Sequence, residues 1–286
     1  MKNARLLLAV VCSWLCLGAG GSLFPVGAHA QAYEQNVRSI IEALAADSLE
    51  KAEGIIQQTL LLDPERKSNA ILYQYLGEIY QRSGQSERAL ESYRKGIDLS
   101  PTSLDLLLSR ASLYLKMNNT ERALTDYDKV LELSPNEAEA LFFRAYLHSQ
   151  LRHNKEARAD YNRLLKLNPM HEEARLGLAI LNSKDGRPRE AMEQLDALIQ
   201  LYPTHAQHYL ARCGLYEQRK EYEEAQKDVE RALELEPENP ECYLTRASLY
   251  IAMKKKRLAR QDCQTAIKLG ATGEQVAPLL SETTTP

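Results

Sequence analysis

Apolar and polar positions follow the period of an amphipathic helix along most of this chain. In "ILYQYLGEIYQRSG" the apolar residues Leu72, Tyr75, Leu76, Ile79 and Tyr80 fall on one helical face. "SERALESYRKGIDLS" continues the pattern, and Gly84 breaks the chain between the two. This predicts a pair of helices. The second ends before Pro101, because proline disfavours helical backbone in the residue that precedes it. Proline can then sit early in the next helix, where its missing N–H costs little. Asn118-Asn119 and Gly186 mark equivalent breaks further on.

The pattern recurs. Pro101, Pro135, Pro169, Pro203 and Pro237 are spaced by 34 residues each time, and Pro64 precedes Pro101 by 37. A hairpin of this size cannot bury its apolar face alone, so neighbouring copies must do it for one another.

The residues within the period carry a resemblance. The window from Ala70 reads Tyr73-x2-Leu76-Gly77-x2-Tyr80, then Ala89-x3-Tyr93, then Pro101. This resembles the tetratricopeptide repeat almost position for position, with Tyr in place of Trp and Phe. Windows follow from 104, 138, 172, 206 and 240, so the resemblance covers about 70 to 273 in six repeats. The twentieth residue is always alanine: Ala89, Ala123, Ala157, Ala191, Ala225 and Ala259. A larger side chain there would hold the two helices apart. A weaker copy, with Ala52 and Pro64 in register, makes 31–66 a degenerate first helix pair. "GEQVAPLL", 273 to 280, is expected to form a short capping helix, and "SETTTP" a frayed polar tail. The resemblance implies an all-α fold, a right-handed superhelical solenoid of stacked antiparallel helix pairs.

Comparison between repeats isolates a charge pair. The seventh residue of the window is arginine in four repeats (Arg110, Arg144, Arg212, Arg246), and the twenty-third is aspartate in the same four (Asp126, Asp160, Asp228, Asp262). The other two repeats have Leu76 with Ser92 and Leu178 with Gln194. Pairing within a repeat accounts for all six cases. Each pair is therefore expected to bridge the helices of its own hairpin, with the planar guanidinium gripping the carboxylate by two bonds. The alternative, a row of charges lining a binding surface, would not require matched occurrence.

The resemblance also implies that first helices line a concave groove, with the second, fifth, ninth and twelfth residues of each window facing it. Repeats 2 to 4 then present Leu108, Phe142, Tyr146, Leu176 and Ile180, edged by the second-position acids Asp105, Glu139 and Glu173; the sixth repeat adds Glu241. A contiguous apolar patch of this kind marks a site for a protein or peptide partner. The alternative is that these residues pack between adjacent first helices. The clamp of lysines and asparagines by which some relatives hold the C-terminal carboxylate of heat-shock chaperones is absent, since the matching columns hold leucine, phenylalanine, serine and glycine.

Residues 1–30 read differently. "MKNAR" is basic, "LLLAVVCSWLCLGAGG" is apolar, and "SLFPVGAHA" ends small-x-small. That is the pattern of a secretory signal peptide cleaved after Ala30, which places the protein in the periplasm or outside the cell. An uncleaved anchor is the competing reading, but the apolar run is short and diluted by Gly18 to Gly21. Neither Cys12 nor Cys16 follows the small residue that lipid-attachment signals place there. Loss of Lys2 and Arg5 from the 36 basic residues leaves 34 against 39 acids, a net charge of −5. A mildly acidic chain is a poor nucleic-acid ligand. No later run is apolar enough to span a membrane.

Chemistry is sparse. There is no Gly-rich phosphate loop, no "GxSxG" and no "CxxC", so neither catalytic nor cofactor-binding residues are expected. His205 and His208 in "THAQH" come nearest to a metal pair, but their spacing is not i, i+4 and no carboxylate joins them at a recognisable interval. They read as polar residues at a helix start, and no metal site is expected. Cys213, Cys242 and Cys263 sit at packing positions, as buried thiols or, in an oxidising compartment, with two of them in a disulfide. The function that follows is a non-catalytic scaffold of the cell envelope, binding an extended peptide or helix in its groove. The alternative is an assembly or regulatory subunit of an envelope enzyme, such as one acting on cell-wall polymer.

Overall fold

Each predicted break between helices becomes the same turn. The fifteenth residue of every repeat (Gly84, Asn118, Arg152, Gly186, Lys220, Lys254) has φ between 56° and 72°. The following N–H always reaches back five residues, from Gln85 to the Tyr80 carbonyl at 2.8 Å through Lys255 to that of Tyr250 at 2.7 Å. This left-handed closure satisfies carbonyls that the end of a helix would otherwise leave unpaired. Glycine and asparagine enter that conformation readily. Arg152, Lys220 and Lys254 do so against a steric cost of roughly 1 kcal/mol each.

The structure, a computed structural model, describes residues 26–284. The expected leader therefore lies outside the described residues as far as position 25. Among the described residues there are fifteen α-helices, one 3-10 helix at Lys67–Asn69, and no strand. The chain divides into two compact units, Met1–Pro135 and Asn136–Pro286. The first holds α1 (Val26–Ala45), α2 (Leu49–Leu62), α3 (Ala70–Arg82), α4 (Ser86–Leu99), α5 (Leu104–Lys116) and α6 (Thr120–Leu133). The second holds α7 (Ala138–Gln150), α8 (Asn154–Leu167), α9 (Glu172–Lys184), α10 (Pro188–Leu201), α11 (Ala206–Gln218), α12 (Tyr222–Leu235), α13 (Pro240–Ala252), α14 (Lys256–Lys268) and α15 (Gly273–Thr284).

Within each unit, consecutive helices pack as pairs and pairs stack on their neighbours. The twentieth-position alanines are fully buried in all six repeats. Opposite them the eighth position is also small: Ala111, Ala145, Ala179, Cys213 and Ala247, each essentially sealed from solvent. In the first repeat that position is Gly77, where even a Cβ would land on the ring of buried Tyr93. Close approach of the two helices is thus written into two columns of small residues, and large apolar side chains fill the layers beside them. In the first unit these include Ile40, Ile56, Leu72 and Tyr93.

The repeat prolines do not sit in the next helix. Pro101, Pro135, Pro169, Pro203 and Pro237 lie in the turns between hairpins, with the following helix starting three residues later. The residue before each, such as Ser100 at φ −138° and ψ 80°, has left the helical region, as proline requires of its predecessor. Helix starts are capped instead by later side chains, as where the Ser103 hydroxyl accepts from the Leu106 N–H. Pro188 and Pro240, outside the 34-residue series, are the ones that open helices.

The C-terminal helix is longer than the sequence suggests. Val276 packs against Ala247, Ala259 and Cys263, and helix continues through Thr284. Thr283 is buried and its carbonyl accepts from Arg260 at 3.2 Å, so the start of the tail is held rather than frayed.

Candidate peptide-binding groove

Four ion pairs stiffen the hairpins that build the surface. Asp126 accepts from Arg110 Nε at 2.8 Å and Nη2 at 2.7 Å. Arg144 holds Asp160 at 2.7 and 2.8 Å, Arg212 holds Asp228 at 2.8 and 2.7 Å, and Arg246 holds Asp262 at 2.8 Å twice. Every pair is side-on, two-bonded and internal to one repeat. The four aspartates are buried and their arginines half-buried. The carboxylate hydrogen bonds raise the proton affinity of Arg110, Arg212 and Arg246 beyond the usual arginine value. Tyr114, Tyr216 and Tyr250 stand beside the guanidiniums of Arg110, Arg212 and Arg246, at 6.0, 5.8 and 5.8 Å. Each pair ties the first helix of its hairpin to the second.

The second unit has an open hollow of about 300 Å³ between α9, α11 and α13. Leu176, Ile180 and Leu210 supply its apolar floor, with Leu195 of α10 behind them. Gln207, Gln218, Glu241 and Thr245 supply polar groups. At the ninth column Gly214 leaves the space open, since a Cβ there would meet nothing within 4 Å. Elsewhere on α11 Glu217 accepts from the Ser248 hydroxyl at 3.1 Å, and burial raises its carboxyl above the usual carboxylate range.

Of the five residues expected to share one patch, Leu108 belongs to the first unit and the other four to the second. Leu176 and Ile180 line the hollow, and Ile180 is 42% exposed. Phe142 does not line it. Its ring stacks on His171, the cap of the next hairpin, at 5.5 Å and packs against Tyr161 and Phe143. Tyr146 stays 41% exposed outside the hollow, and Leu108 is half-buried in the first unit. An aromatic at the fifth column is long enough to reach its neighbour's cap and is used up in packing. Leucine with glycine next to it leaves room.

The three described cysteines are free and buried. Burial pushes the Cys213 thiol up to about 12 and the Cys242 thiol to about 11, so neither is a nucleophile.

Profiles of the tetratricopeptide repeat match residues 70–103, 104–137, 145–206, 214–239 and 240–269. The chain belongs to the tetratricopeptide repeat family. A TPR protein from Parabacteroides merdae ATCC 43184 shares 29% identity over 89% of this chain and 100% of its own, at TM-score 0.72. Pseudomonas aeruginosa pilF shares 18% identity over 76% of this chain and 99% of its own, at TM-score 0.59. YrrB, described as a TPR protein with an unusual peptide-binding site, shares 20% identity over 65% of this chain and 95% of its own, at TM-score 0.56. At these identities the last two show the fold alone. No curated protein matches the chain by sequence.

One cluster escaped the reading of single TPR windows. Glu172, the first residue of α9, meets His205 and His208 at the start of α11, one repeat later. Its Oε1 lies 2.6 Å from His205 Nδ1 and 3.0 Å from His208 Nε2. The two histidines do mark a helix start, but a carboxylate joins them after all. It comes from 33 and 36 residues earlier, an interval that no sequence motif advertises. Burial pushes the His208 imidazole below its usual value, while the Glu172 charge and the Tyr202 backbone act in the opposite direction.

Proposed function

We propose that this TPR protein is a non-catalytic scaffold of the cell envelope. It holds an extended peptide or a helix of another envelope protein in the hollow between α9, α11 and α13. The observation that carries the reading is the hollow itself, floored by Leu176, Ile180 and Leu210 and kept open by Gly214. A concave, mostly apolar surface with a few convergent polar groups is what a peptide ligand requires. Glu241 and Lys184 give the hollow one charge of each sign, and Gln207, Gln218 and Thr245 offer hydrogen bonds beside the apolar anchors. TPR proteins in general are non-catalytic scaffolds, which supports the same reading. The envelope assignment rests on the leader-like first thirty residues.

Gly214→Leu tests the site directly. The added side chain enters empty space on a helix, so folding stability should hold or rise by less than about 1 kcal/mol. Peptides selected from a random library on the wild-type protein should bind the variant at least ~10-fold more weakly, as expected when a central anchor pocket is filled. Lys129→Ala, on an exposed second helix, should change nothing. Equal peptide affinities for wild type and Gly214→Leu would remove the hollow as the site.

A further inference from the structure

Among the described residues the Glu172–His205–His208 cluster has no counterpart in the other repeats: the column that His208 shares holds Leu72, Leu106, Ala140, Ala174 and Cys242. Its three ligand atoms lie within 4.8 Å of one another. His208 is completely buried, and its ring nitrogens have only the Glu172 carboxylate and the Tyr202 backbone as polar neighbours, neither in a well-aligned hydrogen bond. Nε2 is 3.0 Å from the carboxylate, close but off the hydrogen-bonding line. A buried polar group left in that state is costly and calls for an explanation. Imidazole nitrogens converging with one carboxylate oxygen are the donor set of a transition-metal ion.

We propose that Glu172, His205 and His208 bind one divalent transition-metal ion, zinc or a chemical equivalent, which clasps the fourth TPR repeat to the fifth. The fit is close. Donor atoms around tetrahedral zinc stand roughly 3.3 Å apart, given metal–ligand bonds of about 2.0–2.2 Å. The Glu172 contacts of 2.6 and 3.0 Å need only open slightly to admit the ion. Two of the three ligands can move to do so, because the side chains of His205 and Glu172 are 48% and 27% exposed. His208 is the fixed ligand. Tyr202 stacks on His205 with ring centroids 5.4 Å apart and anchors its own hydroxyl on the Met170 carbonyl at 2.7 Å, which limits where the His205 ring can go. Three protein ligands leave a fourth position on the exposed side of His205, filled by water. The positive ends of α9 and α11 oppose a cation here, but the carboxylate sits between them and offsets that field. Hard cations such as magnesium and calcium demand more oxygen ligands than the cluster offers.

The test is a cobalt(II) titration of the purified chain after removal of metal by a chelator. The expected result is one ion per chain, a visible d–d spectrum of a low-coordinate site, displacement by zinc, and a higher melting temperature with zinc bound. Glu172→Gln and His205→Asn replace solvent-accessible ligands and leave the core alone. Each should weaken binding by at least ~10-fold. His208→Asn should abolish it, with circular dichroism reporting whether that variant folds. His148→Asn, which alters the other close histidine pair at His148 and His153, should bind as wild type does. No uptake by wild type would overturn the proposal. So would equal affinity in Glu172→Gln and His205→Asn, or a sulfur-to-cobalt charge-transfer band placing the ion on the cysteines.

Discussion

The third and fourth repeats share one fold and hold it by different means. In the third, Arg144 and Asp160 join α7 to α8 by two charge-assisted bonds inside a nearly closed interface. In the fourth the same columns hold Leu178, which is buried, and Gln194, which Arg175 reaches at 2.9 Å. Apart from that contact, the polar ties of the fourth repeat run outward. Arg158 of the third repeat grips Asn182 and Asp185 at 3.1 and 2.6 Å. Asp196 reaches Arg212 of the fifth at 2.7 Å, and Ser183 reaches Gln218 at 3.1 Å. Helix contact through the small-residue columns is common to both repeats, so that contact makes the hairpin. The ion pair is one of two ways to fill the remaining space, and the other frees side chains to bind neighbours.

Three sets of substitutions sharpen this contrast. Arg144→Leu strands the buried Asp160 carboxylate and should cost about 3–5 kcal/mol in urea unfolding. Adding Asp160→Gln, to copy the fourth repeat, should recover at least half of that loss. A double mutant as unstable as the sum of its singles would mean the residues do not interact. The reciprocal graft, Leu178→Arg with Gln194→Asp, should lie within about 1 kcal/mol of wild type, because a well-paired buried ion pair and an apolar filling are near-equal solutions. A large loss in calorimetry would show that the fourth repeat has diverged beyond its two columns. Smallest of all, Asp196→Asn removes a partner that is 46% exposed at its side chain, so it should cost less than about 1 kcal/mol, and less still at high salt.

Much of this was legible in the sequence for one reason. A repeat array is its own alignment, so the alanine column, the matched Arg and Asp and the hairpin period can be read from one chain. What lay between repeats was not legible. Arg152, Lys220 and Lys254 occupy a left-handed turn for which their residue types give no hint, and only their place in the column identifies it. Phe142 and Leu210 stand at the same window position, yet one packs on His171 and the other floors the hollow. Which happens depends on the cap contributed by the next repeat. Glu172 and His208 meet only because two helix starts are brought side by side.

The buried cysteines have a use that follows from where they are. Cys213 lies on the first helix of the fifth repeat, Cys242 at the start of the sixth and Cys263 on its second helix, all sealed from solvent. A thiol reagent reaches none of them until the surrounding hairpin opens. The rates at which the three are modified are therefore clocks for local unfolding, set at different depths in the C-terminal end of the array. They would time how the stack comes apart, repeat by repeat, with no label added to the protein.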